Sequence, residues 1–338
     1  MNVGELNAIA KKMVAKGKGI LAADESTGTI QKRFDKIDVQ NTEENRRDYR
    51  ELMFRAKDAM SHVSGVILFD ETIRQKAKDG TPLVKLIEQA GAVPGIKVDA
   101  GAKLLALDPG QTVTEGLDGL RERFVEYHKL GARFAKWRAT YNPTKPSYNS
   151  ISANAQALAR YAALAQENGI VPIVEPEVLM DYDNDVETCE AVTEWVLKET
   201  FQHLYYAKIA LEGMVLKPNM IINGMKAAKK ASVEDVAERT VKVLKRCVPG
   251  AVPGIAFLSG GQSDEDATAH LNAMNAAHPD LPWALTFSYG RALQAAPQKA
   301  WSGKEANVSA AQAAFAHRAK MNGLAATGGW KKEMEKAA

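Results

Sequence analysis

Three lysines in this 338-residue chain stand in or at the end of short apolar runs. Lys97 follows Gly95-Ile96, Lys136 sits between Phe134-Ala135 and Trp137, and Lys217 follows Met214-Val215-Leu216. Asp24, Arg138, Glu175, Ser259 and Ser288 end similar runs. A single lysine of this kind reads most simply as a solvated side chain just beyond its strand. Three of them, each at the same end of a different run, do not read as independent accidents. An ammonium buried beside other cations loses its proton more easily, and the free amine can attack a carbonyl. The iminium that results is an electron sink that permits cleavage of a neighbouring carbon–carbon bond. Other cations can hold phosphate oxyanions while the carboxylates move protons. These residue types point to amine-dependent carbonyl chemistry on an anionic substrate, without singling out the lysine that attacks.

The phosphate signal is more local. Ser259-Gly260-Gly261-Gln262-Ser263 follows the seventh run, and Ser288-Tyr289-Gly290-Arg291 ends the eighth. Glycine amides and a helix N-terminus are ready donors to a phosphate, and Arg291 can add a bidentate contact. Lys97 and Arg138, with the turn Ser26-Thr27-Gly28-Thr29, form a second cationic group able to hold a second anion across the same mouth.

The elements that must position these groups are strands and helices in alternation. The eight runs start at Gly19, Gly65, Gly95, Arg133, Ile170, Gly213, Gly254 and Trp283. Lacking strict alternation, they suit strands buried on both faces of a parallel sheet. Between them Thr42 can cap a helix whose face carries Tyr49, Leu52, Met53, Ala56 and Met60. Ser232 opens another with Val236, Ala237, Val241, Leu244 and Val248 on one stripe, and Ser263 a third with Ala267, Leu271 and Met274 inside. An alanine-rich helix is expected over Asn154 to Gly169. Strand then helix, eight times over, is the pattern of a (β/α)8 TIM barrel, whose active site lies at the C-terminal ends of the strands. A doubly wound open sheet is the rival, since periodicity does not show closure; the count of eight favours the barrel. One domain is expected over residues 1–338, with an N-terminal arm and a helical C-terminal tail, mobile from about 321 to 338.

Composition excludes several classes. Lys and Arg total 44 against 41 Asp and Glu, a net charge of +3, so no global field calls for nucleic acid or a membrane surface. No apolar run approaches a membrane span and the N-terminus has no signal-peptide core, so a cytoplasmic protein is expected. Cys189 and Cys247 make neither a disulfide framework nor a metal-ligand spacing, and the six histidines show no ligand spacing either. No metal site is therefore expected. Trp195 and the pair Tyr205-Tyr206 read as helix packing.

Long strings in the chain resemble the class I, Schiff-base fructose-bisphosphate aldolases. They are GILAADESTGTI from Gly19, NTEENRRDYR from Asn41, GVILFDETIRQKAKDG from Gly65, GIKVD from Gly95 and FAKWRA from Phe134. GIVPIVEPEVL from Gly169, LKPNM from Leu216, FLSGGQS from Phe257 and PWALTFSYGRALQ from Pro282 continue the series in order. The resemblance implies cleavage of fructose 1,6-bisphosphate without metal or cofactor, in a protein that is usually a homotetramer. It implies Lys217 as the Schiff-base lysine, Glu175 as the acid/base that dehydrates the carbinolamine, and Asp24 as the base for the C4 hydroxyl. Lys136 and Glu177 would support them. Ser259, Gly260, Gly261, Ser288, Gly290 and Arg291 would hold the C1-phosphate, and Ser26, Arg33, Lys97 and Arg138 the C6-phosphate end. Thr29 stands where many members have serine. The chain also departs from familiar eukaryotic members by ending Lys336-Ala337-Ala338, without their terminal tyrosine.

Overall fold

Every one of the eight runs forms a strand, and the strands pair in chain order. The computed structural model describes residues 2–336. Its barrel strands are β1 (Gly19–Ala23), β2 (Val63–Leu68), β3 (Val93–Lys97), β4 (Phe134–Tyr141), β5 (Val171–Val178), β6 (Val215–Leu216), β7 (Gly254–Phe257) and β8 (Ala284–Tyr289). All pairings between them are parallel, and β8 returns to β1 with Ile20 opposite Ser288. The sheet is a closed barrel, which removes the open-sheet rival.

The principal helices are α1 (Val3–Met13), α2 (Thr27–Phe34), α3 (Glu43–Phe54), α4 (Leu83–Gln89), α5 (Leu120–Lys129), α6 (Tyr148–Glu167), α7 (Val186–Tyr206), α8 (Val233–Cys247), α9 (Asp264–Ala277), α10 (Arg291–Trp301) and α11 (Val308–Ala325). Thr42, Ser232 and Ser263 cap α3, α8 and α9, each side chain accepting from a backbone N–H three residues on. No helix among the described residues is long and apolar enough to cross a membrane.

The pleat decides what fills the barrel. Side chains two apart on a strand share a face. Ile20 and Ala22 of β1, Val93 of β3, Phe134 of β4, Val171 and Ile173 of β5, Val215 of β6 and Ala256 of β7 form one buried interior cluster. The N-terminal arm closes its lower end, where the α1 stripe Leu6, Ala10 and Met13 packs into that cluster. Continuing the same parity upward, two residues at a time, gives Asp24, Lys97, Lys136, Arg138, Glu175, Glu177 and Lys217. On β8 Ser288 alternates with Leu285, Phe287 and Tyr289, which pack in the outer core. The apolar filling therefore stops partway up the barrel and charged side chains take over.

Three expectations are corrected. The helix begun at Thr42 ends at Phe54; Ala56 is the link to a separate turn, Lys57–Met60, although both Ala56 and Met60 are buried. The alanine-rich helix starts at Tyr148, not Asn154, because the Ser147 hydroxyl accepts from Ser150 N–H and caps it earlier. Tyr205 and Tyr206 do not join the core: they follow Leu204, the last residue of the buried stripe of α7, and are 76% and 66% exposed. Among the described residues they meet only each other and His203 as aromatic neighbours. Trp195 is likewise 38% exposed. The stretch expected as a mobile tail begins inside α11, and beyond it Trp330 N–H donates to Asn272 Oδ1 while its indole N–H donates to Glu335. Glu335 also pairs with Arg318. Ala337 and Ala338, where the tail lacks tyrosine, lie outside the described residues.

Candidate active site

The charged layer at the upper end of the barrel opens into a cavity of about 280 Å³. Asp24, Ser26, Arg33, Lys97, Lys136, Arg138, Glu175, Glu177, Lys217, Ser259, Gly260, Ser288, Gly290 and Arg291 all line it. Gly261, expected at the phosphate, is not part of the lining. Its φ of +76° is a left-handed turn, and a Cβ there would come within 2.6 Å of Met180, so it shapes the loop behind the site. Ala22, Glu25, Thr29 and Leu258 complete the wall.

Two buried carboxylates and two buried lysines form the centre. Lys217, 4% exposed, places Nζ 3.1 Å from Glu175 Oε1. The Lys136 ammonium stands 2.7 Å from Asp24 Oδ2 and 3.5 Å from Glu175 Oε2. Burial alone would lower the affinity of Lys136 for its proton, but Asp24, Glu175 and Asp99 overcome it and hold the ammonium well above its usual range. Lys136 is thus a fixed cation. Burial pushes Asp24 up, yet Lys136 and Lys217, with Lys97 behind them, outweigh it and bring the carboxyl down to about 2. Glu175 is lowered in the same way, burial opposing and Lys217, Lys136 and Arg138 prevailing. Both carboxylates are ionised at neutral pH and face the cavity as proton acceptors.

The rim carries the remaining cations. Lys97 lies 3.5 Å from Asp99, which also accepts the backbone N–H of Gly101 and of Arg138. Arg138 is paired with Glu177, and Arg33 with Glu25. The resemblance groups Arg33 with Lys97 and Arg138, but its guanidinium stands beside Gly290: a Cβ built there would lie 3.5 Å from Arg33 Nη2. Arg291 donates to the carbonyls of Ser259 and Gln262, so it braces the seventh loop from the eighth. On the other side Ser26 stands at the N-cap position of α2 without a side-chain capping bond, its hydroxyl 3.1 Å from that of Thr29.

Three buried atoms in this wall, Glu25 Oε2, Glu175 Oε2 and Ser288 Oγ, have no hydrogen-bond partner among the described residues. Buried polar atoms are normally paired. The two carboxylate oxygens have a cation nearby, Arg50 at 3.7 Å from Glu25 and Lys136 at 3.5 Å from Glu175, which leaves the Ser288 hydroxyl as the group with capacity for a ligand. Among the described residues no three His, Cys, Asp or Glu side chains gather to hold a metal ion.

Sequence reasoning missed Glu25, Arg50 and Gln294, which form the wall and its backing near Asp24. Nothing local marks the last two, since their contacts with the end of β1 span 25 to 272 residues. Strand parity was available as a signal for the rest: Ile20, Ala22 and Asp24 share a face, as do Val93 and Lys97 or Ile173 and Glu175.

The model of the family described as fructose-bisphosphate aldolase class-I matches residues 5–338. A probable fructose-bisphosphate aldolase class 1 from Xanthomonas campestris is 57% identical over 334 residues, covering 98% of this chain and all of that one. The cytosolic fructose-bisphosphate aldolase 6 of Arabidopsis thaliana is 54% identical over 97% of this chain and 92% of its own. The solved fructose-bisphosphate aldolase of Plasmodium falciparum superposes with a TM-score of 0.95 at 49% identity, covering 97% of this chain and 96% of that one. The chain belongs to the class I fructose-bisphosphate aldolase family.

Proposed function

We propose that this chain cleaves fructose 1,6-bisphosphate reversibly to dihydroxyacetone phosphate and glyceraldehyde 3-phosphate through a Schiff base on Lys217. The observation that carries the assignment is the contrast between the two buried lysines. Lys136 is locked as an ammonium by two carboxylates, whereas Lys217 has Glu175 at 3.1 Å as a proton acceptor.

Glu175 takes a proton from the Lys217 ammonium 3.1 Å away, and the freed amine attacks the C2 carbonyl. The same proton passes from Glu175 to the carbinolamine oxygen, which leaves as water. The iminium then draws the electrons of the C3–C4 bond as Asp24 takes the proton of the C4 hydroxyl, releasing glyceraldehyde 3-phosphate and leaving an enamine. Protonation at C3 restores the iminium, and addition of water at C2 frees dihydroxyacetone phosphate and the amine. Lys136, a fixed cation between the acid/base pair, steadies both carboxylates in their ionised forms, and Glu177 supports the site by holding Arg138. Ser259, Gly260, Ser288, Gly290 and Arg291 supply the donors for the C1-phosphate. Ser26, Lys97 and Arg138 face the C6-phosphate, with Arg33 bordering Gly290.

Borohydride reduction in the presence of dihydroxyacetone phosphate tests this directly. One reduced three-carbon unit should add to Lys217, and chelator should leave turnover intact; an adduct elsewhere, or none, rejects the assignment. Family membership and a relative named cytosolic support a cytoplasmic homotetramer, for which sedimentation at micromolar concentration should give four times the mass of one chain.

A further inference from the structure

Asp24 is bracketed by three main-chain carbonyls, those of Ala22, Ala23 and Glu25, and all three are held by side chains from outside the barrel. Arg50 of α3, 1% exposed, donates from Nε to Ala23 O at 3.3 Å and from Nη2 to Glu25 O at 3.0 Å. Gln294 of α10, fully buried, donates from Nε2 to Ala22 O at 2.6 Å and to the Glu25 carboxylate at 2.8 Å. Its own Oε1 accepts from the Tyr49 hydroxyl at 3.2 Å. A buried amide with its hydrogen-bonding groups engaged is a specific fixture, because each partner loses a contact if it is replaced.

Neither Arg50 nor Gln294 lines the cavity. Gln294 lies three residues after Arg291 and four after Gly290, one helical turn below the phosphate-facing end of α10. The same side chain therefore grips the strand end that carries Asp24 and rides on the helix whose start faces the substrate. The amine lies away from this clamp, since β1 pairs with β2 and β8 while Lys217 follows β6, which pairs with β5 and β7.

We propose that Gln294 is a positioning residue for Asp24, tying the end of β1 to the phosphate-facing helix so that the carboxylate is aimed at the C4 hydroxyl. The inference rests on the role given to Asp24 above. It separates the two halves of the reaction: attack by Lys217 does not need the clamp, and carbon–carbon cleavage does.

The test is Gln294→Met, which keeps volume and removes the amide. A displacement of the base by about 1 Å predicts a fall in kcat for fructose 1,6-bisphosphate cleavage of about 10- to 100-fold, with KM changed less than about threefold. Borohydride trapping of dihydroxyacetone phosphate on Lys217 should proceed at the wild-type rate. Cleavage within about twofold of wild type, or trapping that falls in parallel with cleavage, overturns the proposal. A wild-type chain that gives no Lys217 adduct instead rejects the Schiff-base assignment. If the Met variant does not fold, Gln294→Asn carries the same test, since it keeps an amide too short to span Ala22 and Glu25. Wild-type kinetics in a folded Asn variant overturns the proposal equally.

Discussion

At the scale of single residues, the Lys136 ammonium stands between Asp24 at 2.7 Å and Glu175 at 3.5 Å. Without it two buried carboxylates would face one another, and one would take up a proton near neutral pH. Lys136→Met should therefore lower cleavage by at least about 100-fold and cost about 3–5 kcal/mol, the range for breaking a buried ion pair from one side. Steady-state rates and urea unfolding measure the two losses; a variant with ordinary stability would mean that the carboxylates are satisfied by other partners. Asp24 carries a matching pH signature. Its carboxyl is held at about 2 in the folded chain, below the ordinary 3.8. That difference contributes about 2 kcal/mol, fully present above about pH 4 and lost as the pH falls through 2. Urea unfolding between pH 5 and pH 2 should show the wild type losing this increment relative to Asp24→Asn. Parallel curves would show that the cations do not hold the carboxyl down.

At the scale of elements, the strand pleat sorts each run into filling below and chemistry above, and Gly95 shows how tightly the lower part is set. A Cβ on Gly95 would overlap the ring of Phe134, which occupies the barrel interior beneath Lys97 and Lys136. Gly95→Ala should lower stability by about 1–3 kcal/mol through overpacking. Adding Phe134→Leu to the same chain should recover part of that loss in thermal unfolding; equal instability of the single and double variants would place the strain elsewhere. The strands were legible because each is a continuous apolar run ending in a polar group, and the caps because Thr42, Ser232 and Ser263 act on neighbours three residues away. The hairpin of Ala102–Leu104 with Thr112–Thr114 was not, because its strands are three residues long and the first is exposed throughout. Most of the candidate site was legible for the same reason as the strands: its groups end the runs. Gln294 and Arg50 were not, because each sits on a helix whose neighbours in sequence say nothing of the strand end it touches. Gly261 does not line the cavity, and a glycine beside a phosphate loop has the same local signature whether its amide faces the ligand or its φ turns the chain.

At the scale of the whole molecule, the near-neutral sum of +3 conceals a concentration of charge. Six cations and four carboxylates line the mouth, and most of the cations already have an anionic partner. Arg33 is held by Glu25, Arg138 by Glu177, Lys97 by Asp99 and Lys217 by Glu175. Arg291 differs: among the described residues it meets only backbone carbonyls and no carboxylate. A phosphate need not displace a carboxylate to pair with it, so Arg291 should supply a larger share of binding free energy than Arg33, which must first be released. Linkage turns this into a stability measurement on a chain that binds without turning over. Lys217→Met with fructose 1,6-bisphosphate at about 100 times its Kd should gain about 2.7 kcal/mol, visible as a rise in unfolding temperature. Adding Arg291→Ala should abolish most of that rise at the same ligand concentration, whereas adding Arg33→Ala should remove a smaller part. Raising the salt from about 0.05 to 0.5 M should shrink the shift in every chain, since the rim cations are partly exposed and screened. Equal losses from Arg291→Ala and Arg33→Ala would show that pre-paired cations cost the ligand nothing, and that total charge at the mouth, not its pairing, governs affinity.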